Sequence, residues 1–224
     1  MFHLDTLRLI KKTVKRFLTI FLMVFIGVCF MVGLLTTTPI MHKSVDVYYD
    51  DYNFMDVQLY SSYGFDDNDI NAIKDTDNIK DVFASKYVDV FSSYKDTTYV
   101  TRVQELECNV NQFELTSGRM PKELNEALII GDADFDTLVP EGDSITVYLE
   151  DSEITDSLKT TEYKIVGTAR SPQYMANQLE TSNLNNLDIQ NIIYVPNDNF
   201  VADYYTTVYV TFKDAKNYTA FSKN

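Results

Sequence analysis

The stretch FLTIFLMVFIGVCFMVGLL, from Phe17 to Leu35, decides the organisation of the chain because its nineteen residues include no charged side chain. At a rise of ~1.5 Å per residue, a helix of this length spans about 28 Å, close to the roughly 30 Å of hydrocarbon in a bilayer. A buried helix of a water-soluble protein normally keeps a polar face over this length, whereas Thr19 is the one clearly polar side chain here. The stretch therefore predicts a transmembrane helix, placed at residues 17–38.

The charges on either side of this helix predict its orientation. Basic residues cluster before the helix, at Arg8, Lys11, Lys12, Lys15 and Arg16, and the remainder of the chain is acidic. Basic flanks stay in the cytoplasm, so we expect a cytoplasmic N-terminus in the cell (plasma) membrane and an extracytoplasmic domain after about residue 39. A cleaved signal peptide has a shorter apolar core and a cleavage site of small residues, and residues 34–39 (LLTTTP) contain no such site.

Residues 1–16 have two interpretations. Leu7, Ile10, Val14 and Phe17 recur at three- and four-residue steps, with lysines elsewhere around the turn. This spacing is typical of a basic amphipathic helix along the cytoplasmic membrane surface. The alternative is a basic flank that only sets the topology of the span.

The composition excludes several classes of protein. The chain has 224 residues, 45% of them apolar, and a formal charge of −14. It can therefore bury a core, and it lacks the clustered cations that bind nucleic acid. The two cysteines, Cys29 in the predicted span and Cys108 outside it, cannot reach each other to form a disulfide.

The extracytoplasmic part is predicted to be an α+β domain in which strands dominate. Val-, Tyr-, Phe- and Thr-rich or alternating segments predict strands, and Asp67 or Asn68 is expected to cap a short helix that carries Ile70 and Ile73. We place the domain at residues 39–224, with two possible subdomains that divide near 115–126 and a loop at 177–191. The predicted strands are 55–60, 82–94 and 97–108 (joined near Lys95-Asp96), 127–130, 144–149, 161–168, 192–196 and 205–212.

The segment Gly118-Arg-Met-Pro121 raises the question of whether a lone arginine has a catalytic or an architectural role. Glycine adopts positive φ without steric cost, and proline fixes its own φ and restricts the residue before it. No accompanying motif suggests anion chemistry, so we expect Arg119 to pair with Glu123 or Glu126 at a corner before the strand Ala127–Ile130.

Two acidic clusters have the alternating spacing of calcium loops. Asp67, Asp69 and Asn71 form the first, and Asp132, Asp134 and Asp136 form the second. The glycine and the bidentate glutamate that such loops require are missing from both. We interpret the clusters as solvated turns and helix caps.

The sequence predicts no catalytic, cofactor-binding or metal-binding residue. His3 and His42 lie on opposite sides of the predicted span, so they cannot join a catalytic triad or a metal site. Gly-x-x-x-x-Gly-Lys-Ser/Thr, the phosphate-binding loop, is absent from the sequence. The tripeptide Asn217-Tyr-Thr219 matches the N-glycosylation pattern, which often occurs by chance.

Several segments, taken in order, resemble one family. The apolar span with its basic start, an Asp-Val-Gln-Leu segment, a Leu-x-x-Gly-Arg-x-Pro corner and three later strands are similar to the N-terminal portion of an FtsX-like ABC-transporter permease with a MacB-type core domain. The matching segments are Lys15–Phe17, Asp56–Leu59, Asp69-Ile70, Leu115–Pro121, Asn125-Glu126, Glu141–Val147, Tyr163–Gly167 and Ile193–Pro196.

This resemblance implies a function without catalysis by the chain itself. Permeases of this family form dimers in the bilayer and bind a cytoplasmic ATP-binding cassette ATPase, and ATP hydrolysis moves an external domain that exports, extracts or senses a client. Family members have further membrane helices after this domain, so we expect the chain to be the N-terminal portion of a multi-pass protein. The alternative is a single-pass anchored sensor or binding module with an acidic ligand-binding ectodomain.

Overall fold

The computed structural model describes the backbone of residues 2–106, 109–131, 139–150, 153–174, 180–184 and 187–217, with side chains from residue 13 onward within these ranges. The chain divides into two compact units, the first ending at Val47 and the second beginning at Tyr48. Each unit is considered by itself.

The first unit is built on one long helix, α1 (Phe2–Asp51), whose last four residues belong to the second unit. Its apolar side chains are exposed on every face, as Phe17, Met23 and Phe30 illustrate, and within the described residues no part of the protein covers its most apolar window. Apolar side chains on all faces of an uncovered helix favour lipid over water. The structure thus confirms one N-terminal apolar helix that is long enough to cross a membrane.

Helix α1 continues through Pro39 to Asp51, and is therefore longer than the span predicted for residues 17–38. Proline removes one backbone hydrogen bond without necessarily ending a helix. The turn before it gains side-chain hydrogen bonds, because the hydroxyls of Thr36 and Thr37 donate to the carbonyls of Val32 (2.9 Å) and Gly33 (2.7 Å). The helix bounds do not locate a bilayer, so the boundaries of the membrane segment stay a prediction.

The second unit begins with a small antiparallel sheet that carries a helix. Strand β1 (Val57–Phe65) leads to α2 (Asp67–Lys74) and β2 (Ile79–Ser85), and the last strand of the described chain, β10 (Tyr205–Phe212), lies between β1 and β2. Ile70 of α2 packs against Val208 and Val210 of β10, and these side chains form the core of this sheet.

The other strands in the described part of the chain form a second sheet that closes into a ring. These strands are β3 (Tyr87–Tyr94), β4 (Thr97–Glu105), β5 (Glu114–Gly118), β6 (Glu126–Ile130), β7 (Ser144–Tyr148), β8 (Glu162–Arg170) and β9 (Asn191–Val195). Their order is β5-β8-β6-β9-β4-β3-β7, and β7 also pairs with β8. Closure removes free sheet edges along most of the ring.

Alternate residues of the ring strands point inward and form the main core. Val90, Val103, Ile129, Ile165 and Ile193 are buried there together with other aliphatic side chains. This alternation is the period-two pattern of a strand with one face inside. The structure therefore confirms a strand-rich α+β domain after an N-terminal apolar helix.

A buried polar network joins the two sheets. The Gln104 side chain on β4 donates to the Tyr209 hydroxyl on β10 at 3.0 Å, and the Tyr174 hydroxyl donates to Gln104 at 2.8 Å. Gln104 and Tyr209 are both almost fully buried. Buried polar groups that satisfy one another fix the arrangement of the elements that carry them.

Most of the predicted strands are confirmed, and one is wrong in its pairing. The strand predicted at 82–94 is two strands, because the chain breaks at Lys86 and sends β2 to the small sheet and β3 to the ring. Strands β3 and β4 form the expected hairpin at Lys95-Asp96, where both residues have positive φ.

Two other segments singled out in the sequence are the subdomain division near 115–126 and the loop at 177–191. Strands β5 and β6, which overlap the two ends of residues 115–126, both pair with β8, so the segment between them connects two strands of one sheet. Within the predicted loop 177–191, the described residues include Ile189, which is buried, and the bridge between Thr181 and Asp188. The described part of this loop thus packs against the domain.

Candidate functional site

The corner at Gly118–Pro121 is held by an ion pair. The guanidinium of Arg119 donates to both carboxylate oxygens of Glu126, with 2.7 Å from Nη1 to Oε2. The same carboxylate accepts the backbone N–H groups of Lys122 (2.8 Å) and Glu123 (3.4 Å). The prediction that Arg119 pairs with Glu123 or Glu126 is confirmed for Glu126. The guanidinium stabilises the corner through this ion pair.

These hydrogen bonds make the corner sensitive to acid. The Arg119 guanidinium, followed by the backbone N–H of Lys122, lowers the pKa of Glu126 to about 2 from its usual 4.5. Ionised Glu126 therefore contributes stability that is fully present above pH 4.5 and is lost as the pH falls towards 2.

We predict that Glu126→Gln lowers the free energy of unfolding at pH 6 and that this difference shrinks as the pH approaches 2. Denaturant titrations of both proteins between pH 6 and pH 2 measure it. Glu123→Gln, a change at the exposed neighbour, is the control and is expected to show little dependence of this kind. A difference for Glu126→Gln that stays constant across this range would contradict the prediction.

The acidic cluster at residues 67–71 is part of a capped helix. Asp66, rather than the predicted Asp67 or Asn68, is the N-cap of α2: its carboxylate accepts the Asp69 N–H at 2.9 Å, and the Asp69 carboxylate accepts the Asp66 N–H at 3.0 Å. The predicted cap was wrong because this reciprocal box needs acidic side chains three residues apart, and Asp66–Asp69 provides them. Asp132, Asp134 and Asp136 lie outside the described residues.

The cysteines, the histidines and the glycosylation tripeptide considered in the sequence do not form a cluster within the described residues. Cys29 is exposed on α1, and His42 lies on the same helix. The His3 side chain, Cys108 and most of Asn217-Tyr-Thr219 lie outside the described residues. The helix that we expected to follow Asp214 is a short 3₁₀ turn at Ala215–Asn217 as far as the chain is described. Within the described residues no three His, Cys, Asp or Glu side chains lie close enough to hold a metal ion.

A tyrosine-lined cleft of about 620 Å³ opens beside β1 and β3. Its aromatic walls are Tyr60, Tyr63, Tyr87 and Tyr204, and the Tyr63 side chain is almost completely exposed (98%). Asp89, which also lines the cleft, is buried and paired with Arg102. The cleft therefore presents aromatic surface more than charge.

The pair beneath this cleft is a buried ion pair on adjacent strands. Arg102 of β4 donates from Nε and Nη2 to the two oxygens of Asp89 on β3, at 2.7 and 3.1 Å. Its Nη1 donates to Glu180 at 2.5 Å, and its guanidinium lies 4.2 Å from the centre of the Tyr87 ring. Burial opposes the charge of Arg102, but the hydrogen bonds and charge of Asp89 outweigh it and raise the pKa of the guanidinium.

A second cleft, of about 390 Å³, lies between α2, β2 and the end of β4. Its wall includes Glu105, the last residue of β4, of which only 6% is exposed. One oxygen of this carboxylate, Oε2, accepts the Lys86 backbone N–H at 3.2 Å. Burial raises the pKa of Glu105 to about 7, against the smaller opposing effects of the Lys86 N–H and the Lys86 charge.

Sequence reasoning missed Asp89, Arg102 and Glu105. The signal was present in Thr101-Arg-Val-Gln-Glu105, where Arg102 and Gln104 alternate with Val103 and look like an outward, solvated strand face. That face is covered by the segment around Glu180 and by β10. The feature that could have drawn attention to this site is Arg102, a charged residue inside a strand whose other interior residues are uncharged.

The chain is similar to solved structures that include the following two. The extracellular domain of the noncanonic ABC-type transporter YknZ from Gram-positive bacteria aligns at 16% identity with a TM-score of 0.44, over 71% of this chain and 84% of that one. The periplasmic region of MacB from Actinobacillus actinomycetemcomitans aligns at 10% identity with a TM-score of 0.39, over 70% of this chain and 67% of that one. No protein-family model and no curated protein matches the chain. These neighbours leave the FtsX-like part of the predicted resemblance unconfirmed.

Proposed function

We propose that the chain is the non-catalytic permease subunit, or its N-terminal portion, of an ABC transporter. In this proposal the cytoplasmic end meets an ATP-binding cassette ATPase, a second copy completes the permease in the bilayer, and the extracytoplasmic domain exports, extracts or senses a client. Two lines of reasoning support it: the order of sequence motifs that resemble such permeases, and the way the domain is attached.

The observation that carries the proposal is that the two ends of the domain meet. The first strand, β1, pairs with the last described strand, β10, with Val57 opposite Val210. The Phe212 N–H donates to the Asp56 carboxylate at 2.7 Å, and Lys216 Nζ donates to the Asp50 carbonyl, at the end of α1, at 2.6 Å. The two ends of a domain are often close together, and in this proposal the arrangement lets the domain follow the movement of the segments that hold it.

Labelling of the full-length protein in its native membrane tests the orientation. In a background without Cys29 and Cys108, Tyr63→Cys is expected to react with a membrane-impermeant maleimide in intact cells, because the proposal places residue 63 outside the cell and the Tyr63 side chain is almost fully exposed. The matched control, Lys15→Cys, precedes the span and is expected to react only after permeabilisation. The reverse labelling pattern would overturn the proposal.

Purification of the natural protein tests the partners. A tag on the genomic copy, followed by extraction in a mild detergent, is expected to recover an ATP-binding cassette ATPase together with two copies of the permease. Recovery of a membrane protein with the expected labelling but without any ATPase would instead favour the anchored binding module. That second candidate gains support from the Glu105 cleft, where a buried carboxylate faces an open volume.

A further inference from the structure

Among the described residues, one of the two oxygens of the Glu105 carboxylate accepts a hydrogen bond and the other does not. Its Oε2 accepts the Lys86 N–H at 3.2 Å, and the Glu105 N–H donates to the Lys86 carbonyl at 2.9 Å, so the backbone fixes the side chain at the cleft wall. Among the residues that the structure describes, no Lys or Arg nitrogen lies within ion-pair distance of this carboxylate. A buried carboxylate needs a counter-charge to remain ionised without a large cost.

The neighbouring charges do not supply this counter-charge. The Lys86 ammonium donates to the Ala202 carbonyl at 2.8 Å and lies 5.3 Å from the centre of the Tyr205 ring. Helix α2 contributes Asp67 and Lys74 to the cleft, and the Tyr205 hydroxyl of β10 donates to Asp67 at 3.4 Å. Two carboxylates and one ammonium therefore line the cleft. The Lys86 ammonium, which is not part of the lining, offsets only part of the cost of burying ionised Glu105.

The shape and chemistry of the cleft select one kind of cation. The lining also includes the apolar residues Ile70, Val82, Phe83 and Ala84 and the amide-bearing residues Asn71 and Asn197. A guanidinium binds best to two carboxylate oxygens at once. Because Oε2 of Glu105 already accepts the Lys86 N–H, Oε1 is the oxygen that has no donor among the described residues, and a single oxygen is enough for an ammonium. Divalent metals prefer several carboxylates, whereas an ammonium group is a point charge that one oxygen can bind.

We propose that the cleft between α2, β2 and the end of β4 binds an alkylammonium group, with Glu105 as its counter-ion and the apolar wall around its aliphatic stem. A lysine side chain of a peptide and a free polyamine share this chemistry. The net charge of −14 attracts either source. This proposal is independent of the transporter proposal, because it rests on the cleft alone.

The test uses the full chain in detergent, with pentylammonium chloride as the probe and 1-pentanol as its neutral counterpart. Calorimetry is expected to show binding of the ammonium and none of the alcohol. Because the ligand pairs with the ionised carboxylate, whose pKa is about 7, the affinity should be about tenfold weaker at pH 6 than at pH 8. Alkylamines stay protonated over this range.

Glu105→Gln keeps the size of the side chain and is expected to weaken binding at pH 8 at least tenfold and to remove its pH dependence. Glu162→Gln, which removes the same charge from an exposed position on β8, is the control and should bind as the unmodified chain does. Circular dichroism verifies that both variants fold. Equal binding by the Glu105→Gln variant, or binding of 1-pentanol as strong as that of the ammonium, would overturn the proposal.

A direct readout follows the carboxylate itself. In a chain labelled with ¹³C-glutamate, the Glu105 signal, assigned by its loss in Glu105→Gln, should titrate near pH 7 and at a lower pH with saturating pentylammonium. An unchanged midpoint contradicts the proposal. The affinities for 1,5-diaminopentane and for a capped Gly-Lys-Gly peptide then identify the source. Tighter binding of the diamine indicates a polyamine, and tighter binding of the peptide indicates a lysine side chain.

Discussion

We expect Gly118→Ala to lower the free energy of unfolding by about 2–5 kcal/mol. Gly118 has φ = +73°, and a Cβ added there would lie 2.6 Å from the Cα of Gly167 and against the Val166 carbonyl. The left-handed conformation costs about 1–2 kcal/mol for a residue with a Cβ, and crowding of a packed strand pair typically adds about 1–3 kcal/mol. The two nearest atoms belong to the β8 backbone and cannot move aside as a side chain can; the third, Oε1 of Glu141 at 2.8 Å, ends a flexible side chain.

The matched control for this substitution is Gly142→Ala. Gly142 also has positive φ (+96°), but among the described residues no atom beyond its two chain neighbours lies within 4 Å of an added Cβ. Its cost should be limited to the backbone contribution of about 1–2 kcal/mol. Guanidinium unfolding of the full chain in detergent, followed by circular dichroism and by the fluorescence of its 16 tyrosines, compares the two variants. If Gly118→Ala and Gly142→Ala lower the free energy of unfolding equally, the contact between β5 and β8 is not tight.

Arg102→Met should lower the free energy of unfolding by about 3–5 kcal/mol, the usual cost of removing one partner from a buried ion pair. Methionine fills much of the volume of the arginine stem but leaves the Asp89 carboxylate buried without its counter-charge. The same unfolding experiment measures the loss. We expect Asp89→Asn, combined with Arg102→Met, to restore more than half of it, because the amide that replaces the carboxylate is neutral and its oxygen can still accept the Asn183 N–H.

The control for the buried pair is an exposed one. Lys80 and Asp81 lie 3.1 Å apart with side chains that are about two-fifths exposed. Lys80→Met should therefore change the free energy of unfolding by only about 0–1 kcal/mol. If Arg102→Met is equally mild, or if Asp89→Asn makes the Arg102→Met protein less stable, burial of the Arg102–Asp89 pair does not dominate its energetics.

The local signals in the sequence are enough to predict most strands. Pro196 ends β9 where its missing N–H removes a ladder donor, and Lys95-Asp96 forms the turn of the β3–β4 hairpin. The pairing partner of β2 could not be predicted in the same way. Strand β2 pairs with β10, more than a hundred residues later in the chain, and the local pattern of residues 79–94 carries no information about that partner.

The candidate sites follow the same division between local and distant contacts. The Arg119–Glu126 pair joins residues seven positions apart, and it was predicted from the sequence. The Arg102 pair and the Glu105 cleft depend on segments around residues 180 and 197 that cover the strand β4. Without those contacts, Arg102 on one face of β4 and Glu105 at the end of the strand look like ordinary solvent-exposed charges. A local pattern reveals the alternation of a strand but not which segments cover its faces.

The attachment of the domain has a mechanical consequence. Because β1 and β10 are antiparallel and their outer ends lie together, a pull that separates Val57 from Val210 loads one pair of hydrogen bonds at a time, as in the opening of a zipper. The Lys216–Asp50 contact would take this load first. Tension between the two ends would therefore open the small sheet from one end while the closed ring stayed intact, whereas compression or rotation would carry the whole domain along.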